Sequence, residues 1–167
     1  WHFIKLMGRS ASHIALECAL QTQPNVALIS EEVEARGQTL PQIVEGICDS
    51  IAARAAKGEN FGVVLVPEGL VEFIPDFKVL IAELNDLLAA HAGEYAKLGS
   101  DAERVEFVTG RLAPGSSALY AGLPRDIKLQ LIMDRDPHGN VQVSRIETEK
   151  LLIALTERRL AERKAAG

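Results

Sequence analysis

One feature limits the fold of this chain more than any other. Through its first half, short apolar runs alternate with longer stretches of helical period. The apolar runs fall at 2–6, at 25–30 (Val26, Ala27, Leu28, Ile29) and at 61–66. The last of these shows no polar–apolar alternation, as expected of a strand covered on both faces. The helical stretches lie between and after them. Residues 12–22 carry Ile14, Cys18 and the Leu16/Leu20 pair at helical spacing. In 39–58, Thr39 and Gln42 make a capping-box pattern, Pro41 fits the first turn, and Ile43, Ile47 and Ile51 recur every four residues until Gly58. Pro75 opens a third helix with Leu80, Leu84, Leu87 and Leu88 inward. The order β-α-β-α-β-α predicts an α/β fold, a three-layer parallel sheet with helices on both faces. Ligands of such sheets sit beyond the carboxyl ends of the strands. The loops after Leu6, Ile29 and Val66 are therefore the places to look for function.

The second half has a different texture. Residues 92–122 are punctuated by Gly93, Gly99, Gly110, Pro114, Gly115 and Gly122, which predicts loops and short helices. Residues 124–133 read as a short amphipathic helix, and 134–140 (Asp-Arg-Asp-Pro-His-Gly-Asn) as dense turn chemistry braced by charge pairing. Ser144 with Glu147 suggests a second capping box, opening a long helix to about Lys164 with Leu151, Leu152, Leu155 and Leu160 inward. The expected division is thus an α/β core over 1–91 and a mainly helical appendage over 92–167 packed on it.

Composition narrows the function. Of 167 residues, 47% are apolar and 25% charged, enough apolar material for a real core. The net charge of −5 lacks the basic field of a nucleic-acid binder. The apolar runs are too short to span a bilayer, and no charged-then-apolar leader opens the chain. Cys18 and Cys48 form no spaced framework, so a cytoplasmic setting is expected. The chain opens on Trp1 without an initiator methionine, which suggests a piece of a longer protein.

Several residues could carry chemistry. In the loop Met7-Gly8-Arg9-Ser10, Gly8 lets backbone approach a ligand, Ser10 or Ser12 could cap the following helix, and Arg9 offers a fork of donors suited to phosphate. An ordinary strand-to-helix turn with a solvated arginine would read the same way. Glu68, between Pro67 and Gly69 at a strand end, is placed to accept hydrogen bonds from ligand hydroxyls; a capping or salt-bridging role fits it equally. Glu31 and Glu32 are a candidate acid–base or metal pair, although a solvated face is the simpler account. His13 suits a packed or capping role better than a ligand contact. His2, His91 and His138 show no zinc spacing, and neither cysteine has a nucleophile's context. Arg158, Arg159, Arg163 and Lys164, interrupted by Glu157 and Glu162, read as a solvated helix end.

Three ordered segments resemble one family. His2-Phe3-Ile4-Lys5-Leu6-Met7-Gly8-Arg9, followed by Ala11-Ser12-His13 and Leu16-Glu17, is similar to the sugar-phosphate segment of phosphofructokinases, closest to the long, pyrophosphate-dependent branch. Val66-Pro67-Glu68-Gly69-Leu70 and the stretch from Asp134 through Ser144 are similar to two further segments of that branch. The resemblance covers essentially the whole chain. It implies a phosphofructokinase-like lobe and an enzyme that moves a phosphoryl group from pyrophosphate to the 1-hydroxyl of fructose 6-phosphate with magnesium, acting as a homo-oligomer. It further implies that Met7, Gly8 and Arg9 line the fructose phosphate site and that Glu68 binds the sugar hydroxyls. The family's donor-phosphate loop, its Thr-Ile-Asp-type segment with the catalytic base and its Tyr-x-x-Arg segment have no counterpart here. This chain is therefore expected to supply the acceptor side only, with catalytic base and magnesium ligands elsewhere. An ATP-dependent phosphofructokinase and a non-catalytic regulatory subunit of the same fold are the alternatives.

Overall fold

A computed structural model describes residues 1–7 and 12–166. Three parallel strands form its sheet: β1 (His2–Leu6), β2 (Val26–Ala27) and β3 (Val63–Pro67), in the order β1-β3-β2. The connections are helical: α1 (His13–Thr22) between β1 and β2, then α2 (Ser30–Ala35) and α3 (Leu40–Ala55) between β2 and β3. A 3₁₀ turn (Leu70–Phe73) and α4 (Pro75–Ala90) follow, then α5 (Ala92–Tyr95), α6 (Asp101–Thr109), α7 (Pro114–Gly122) and α8 (Arg125–Met133). The last helix is α9 (Thr148–Ala166). The expected α/β class, with a parallel sheet and a mainly helical part, is borne out.

The chain separates into two compact units: residues 1–75 with 147–167, and residues 76–146. Residues 76–90 of α4 fall with the second unit, and α9 returns to the first. Its apolar stripe of Leu151, Leu152 and Leu155 is buried, and the helix packs on α3 and β1, more than ninety residues earlier. No local pattern shows which sheet a distant amphipathic helix will cover.

In the first unit, Val64, Leu65 and Val66 are all buried. Successive strand residues point to opposite faces, so both faces of β3 are covered. The path from β1 to β2 skips a strand position and the path back to β3 reverses direction. Right-handed crossovers then place α1 on one face and α3 on the other. Helix α1 accordingly packs on β2 and β3, and α3 with α9. The expected Thr39–Gln42 capping box is present, with the Thr39 amide donating to Gln42 Oε1 at 2.9 Å. Leu40, Ile43, Val44, Ile47 and Cys48 form the inner face of α3. Arg159 of α9 stays exposed and Arg163 is half-buried, and both are paired to α3. Arg163 Nη2 donates to Asp49 Oδ1 at 2.7 Å, and both arginines bond the Glu45 carboxylate of α3. These bonds hold the Glu45 carboxyl below its ordinary range, the Arg163 bond most of all.

Several local expectations need correction. Strand β2 has two residues and is half-buried, because Ser30 already begins α2. The buried residue of α1 is Ala15, while Ile14, Leu16 and Leu20 are exposed. His13 is exposed rather than packed. Helix α9 starts at Thr148, after a 3₁₀ turn Val143–Arg145, so Ser144 does not cap it.

The second unit is helical. Its core gathers Phe77, Leu80 and Leu84 of α4, Val108 of α6, Tyr120 of α7, and Ile127, Leu131 and Ile132 of α8. A Ser100–Glu103 capping box starts α6. Tyr120 is fully buried with its hydroxyl donating to the Lys128 carbonyl at 3.3 Å, and burial pushes its ionisation well above the ordinary range. The 134–140 turn forms as expected, and backbone amides brace it alongside the Arg135–Asp136 charge interaction. Asp136 Oδ1 accepts the amides of His138 (2.9 Å) and Asn140 (2.8 Å), which lowers the ionisation of that carboxyl, and Gly139 supplies a φ of +84°.

Candidate functional site

Parallel pairing decides what stands at the carboxyl rim of the sheet. In the β1–β3 register, Leu6 lies opposite Pro67. The next residues, Met7 and Glu68, therefore leave adjacent strands side by side. The Glu68 amide donates to the Leu6 carbonyl at 2.9 Å, carrying the pairing one step past the strands. The structure thus brings two of the four expected site residues, Met7 and Glu68, to one rim. The other two, Gly8 and Arg9, lie outside the described residues, as does Ser10.

The surroundings of the two differ. Met7 is 78% exposed. A thioether that open contributes little to the core, so it is free to contact something else. Glu68 is half-buried between buried Pro67 and Gly69. Its backbone carbonyl accepts the hydroxyl of fully buried Thr148, the first residue of α9, at 3.3 Å. Next along α9, Glu149 Oε1 is 3.4 Å from Lys5 Nζ of β1. The turn bearing Glu68 is thereby fastened to β1 through its amide and to α9 through its carbonyl. A carboxylate on so fixed a backbone can accept hydrogen bonds from a polyhydroxylated ligand with little ordering cost.

The third loop joins the same rim. Where the described chain resumes at Ser12, the Ser12 amide donates to Glu31 Oε1 at 2.8 Å, and Ser12 Oγ accepts the Ser30 amide at 2.8 Å. The start of α1 is pinned in this way to the start of α2, just after β2. Ser12 makes no side-chain cap of its own helix; its hydroxyl serves the neighbouring one. These bonds to Glu31 hold its carboxyl below the ordinary value, the Ser12 amide being the main cause. Glu31 thus serves as a structural staple, while Glu32 pairs with Arg36 at 2.5 Å. Sequence spacing could not reveal the staple, because its partners are 18 and 19 residues apart.

Among the described residues, no group of three or more His, Cys, Asp or Glu could hold a metal ion. Magnesium needs oxygen donors in octahedral array, usually carboxylates with substrate phosphates. Glu68 alone does not supply that set. Among the described residues, no helix is long and apolar enough to cross a membrane. Cys18 and Cys48 are free thiols, and burial pushes the Cys48 thiol up.

No family model matches the chain. Single proteins match strongly. Over 168 residues, covering all of this chain, it is 61% identical to the pyrophosphate–fructose 6-phosphate 1-phosphotransferase of Treponema pallidum. Over 97% of the chain it is 54% identical to the enzyme of that name from Porphyromonas gingivalis. Over its full length it is 49% identical to the protein named subunit beta 1 of that phosphotransferase in Arabidopsis thaliana. The chain spans under a third of the length of these relatives: 29%, 29% and 28%. The resemblance read from three short segments is borne out along the whole chain.

Proposed function

We propose that this chain is the acceptor-side segment of a pyrophosphate-dependent fructose 6-phosphate 1-phosphotransferase. The observation that carries the reading is the Leu6–Pro67 register with its extra Glu68–Leu6 bond, which sets Met7 and Glu68 on one rim. Identity of 61% along the whole chain to a protein of that name supports it.

The chemistry follows from the residue types. Arg9 offers two parallel N–H donors to the 6-phosphate, and Gly8 admits that phosphate close to backbone amides. Glu68 accepts hydrogen bonds from the sugar hydroxyls, and Met7 lies against the sugar. The 1-hydroxyl oxygen attacks a phosphorus of pyrophosphate and forms the new P–O bond. The bridging P–O bond breaks, inorganic phosphate leaves, and the hydroxyl proton passes to a base outside this chain. Fructose 1,6-bisphosphate is the product, a step that belongs to glycolysis. Such transfers depend on alignment and on charge neutralisation rather than on covalent help from the protein. This chain's contribution is alignment of the acceptor. Magnesium, on ligands elsewhere in the full protein, would neutralise the donor phosphates. A cytoplasmic setting and a homo-oligomeric assembly complete the proposal.

The test uses the full-length protein assayed with pyrophosphate and, separately, with ATP. Turnover with pyrophosphate supports the reading, turnover with ATP alone assigns the ATP-dependent alternative, and sugar-phosphate binding without turnover assigns a regulatory subunit. In the pyrophosphate-active enzyme, Glu68→Gln should raise the KM for fructose 6-phosphate about tenfold or more, since a neutral amide is a weaker acceptor than a carboxylate. An unchanged acceptor KM would remove Glu68 from the sugar site.

A further inference from the structure

The second unit holds a cleft that the proposed reaction does not use. Its volume is about 490 Å³, within the range of small-molecule sites. Two arginines line it, Arg104 of α6 and Arg135 just after α8, together with His138, and among the described residues no carboxylate does. Both arginines are held, and both keep a donor in reserve. Arg135 Nη1 donates to Asn85 Oδ1 at 3.1 Å, while its Nη2 is buried with no hydrogen-bond partner. Arg104 Nη2 donates to the Leu98 carbonyl at 3.1 Å and its Nη1 is 3.7 Å from Asp101, while its Nε is likewise buried and unpartnered. Asp136, in the adjoining turn, accepts the amides of His138 and Asn140 on Oδ1, and its charge favours the charged form of Arg135. A buried cationic donor without an acceptor is costly, so two of them on one cleft call for an occupant.

We propose that this cleft is an anion site for a small organic phosphate or carboxylate carrying an apolar or ring-shaped body. The headgroup bridges the two guanidinium groups, whose planar forks match the oxygens of either anion. Rotation of each guanidinium toward the cleft presents the reserve donors. The body lies along Leu88, Ile132 and Met133 and against the Tyr95 ring, whose centroid stands 5.9 Å from Arg104 Cζ. The site uses neither Met7, Gly8, Arg9 nor Glu68 and does not depend on the sugar assignment. A ligand here is a candidate regulator.

Titration calorimetry of the full-length protein tests the site. The protein is first held with saturating fructose 6-phosphate and methylene diphosphonate, so that substrate sites are filled. Phenyl phosphate is then titrated, with benzoate and inorganic phosphate as separate arms. The expected result is saturable binding of phenyl phosphate or benzoate, whichever headgroup the site prefers, and weaker binding of inorganic phosphate. Arg104→Gln and Arg135→Met should each weaken the preferred probe about tenfold or more. If Arg135→Met does not fold, Arg104→Gln alone decides. Absence of binding by both organic probes, or affinity unchanged in the folded variants, overturns the proposal. Either outcome stands whether or not fructose 6-phosphate proves to be a substrate, because the variants locate the binding.

Discussion

At Glu31, one carboxylate ties two loops and thereby makes the rim sensitive to acid. The Ser12 amide holds the folded carboxyl below its ordinary value of 4.5. The native state therefore binds fewer protons than the unfolded state as this group titrates. Its contribution is complete above about pH 4.5 and is lost as pH falls through the folded value. Glu45, Glu103 and Asp136 are shifted in the same direction, so their effects add with the same sign. In Glu31→Gln, the loss of stability between neutral pH and the acid range should be shallower than in the unmodified protein. Denaturant titrations across pH measure this, and an unchanged slope would show that the staple does not titrate. Residue types marked Glu68 only as a candidate, because a capping or salt-bridging role fits a carboxylate between Pro67 and Gly69 equally. They hid the Ser12–Glu31 staple because its partners become neighbours only once two strands are in the sheet.

Among the elements, α9 returns from the far end of the chain to cover the first unit. Leu151 and Leu152 have no exposed surface, and their helix packs on α3 and β1. Truncating such a side chain costs about 2–5 kcal/mol, through lost transfer energy and the cavity left behind. Leu152→Ala should therefore destabilise the protein by that amount in chemical denaturation. A change under about 1 kcal/mol would mean the helix docks more loosely than its burial implies. The helices were legible where caps and period agree, as at Thr39–Gln42 with Ile43 and Ile47. Helix α1 was half-legible. Its spacing showed which residues share a face, but Ala15 turned inward and left Leu16 and Leu20 outside. Strand β2 was overextended because the same apolar run supplies both a short strand and the residue before a helix.

On the scale of the whole chain, the sheet brings Met7 and Glu68 to one rim, and under the proposed function the remaining requirements of phosphoryl transfer fall to other parts of the protein. The chain by itself should consequently form no fructose 1,6-bisphosphate from fructose 6-phosphate and pyrophosphate, as a coupled assay would record. Turnover by this chain alone would require a catalytic base among its own residues and would reverse the assignment of roles. The alternation of runs made the α/β class legible, since each run calls for its own crossover helix. The grouping of α9 with the first seventy-five residues was not, because chain order carries no signal for packing across such separations.

The contact at the start of β3 has a practical use. A Cβ on Gly62 would lie 2.5 Å from the Trp1 ring, so the indole is seated directly on that backbone. Trp1 is the sole tryptophan of the chain, and its two tyrosines, Tyr95 and Tyr120, both belong to the 76–146 unit. Indole and phenol emission therefore report on different units of the chain, and one melt followed at both chromophores tests whether the two unfold together, without any added label.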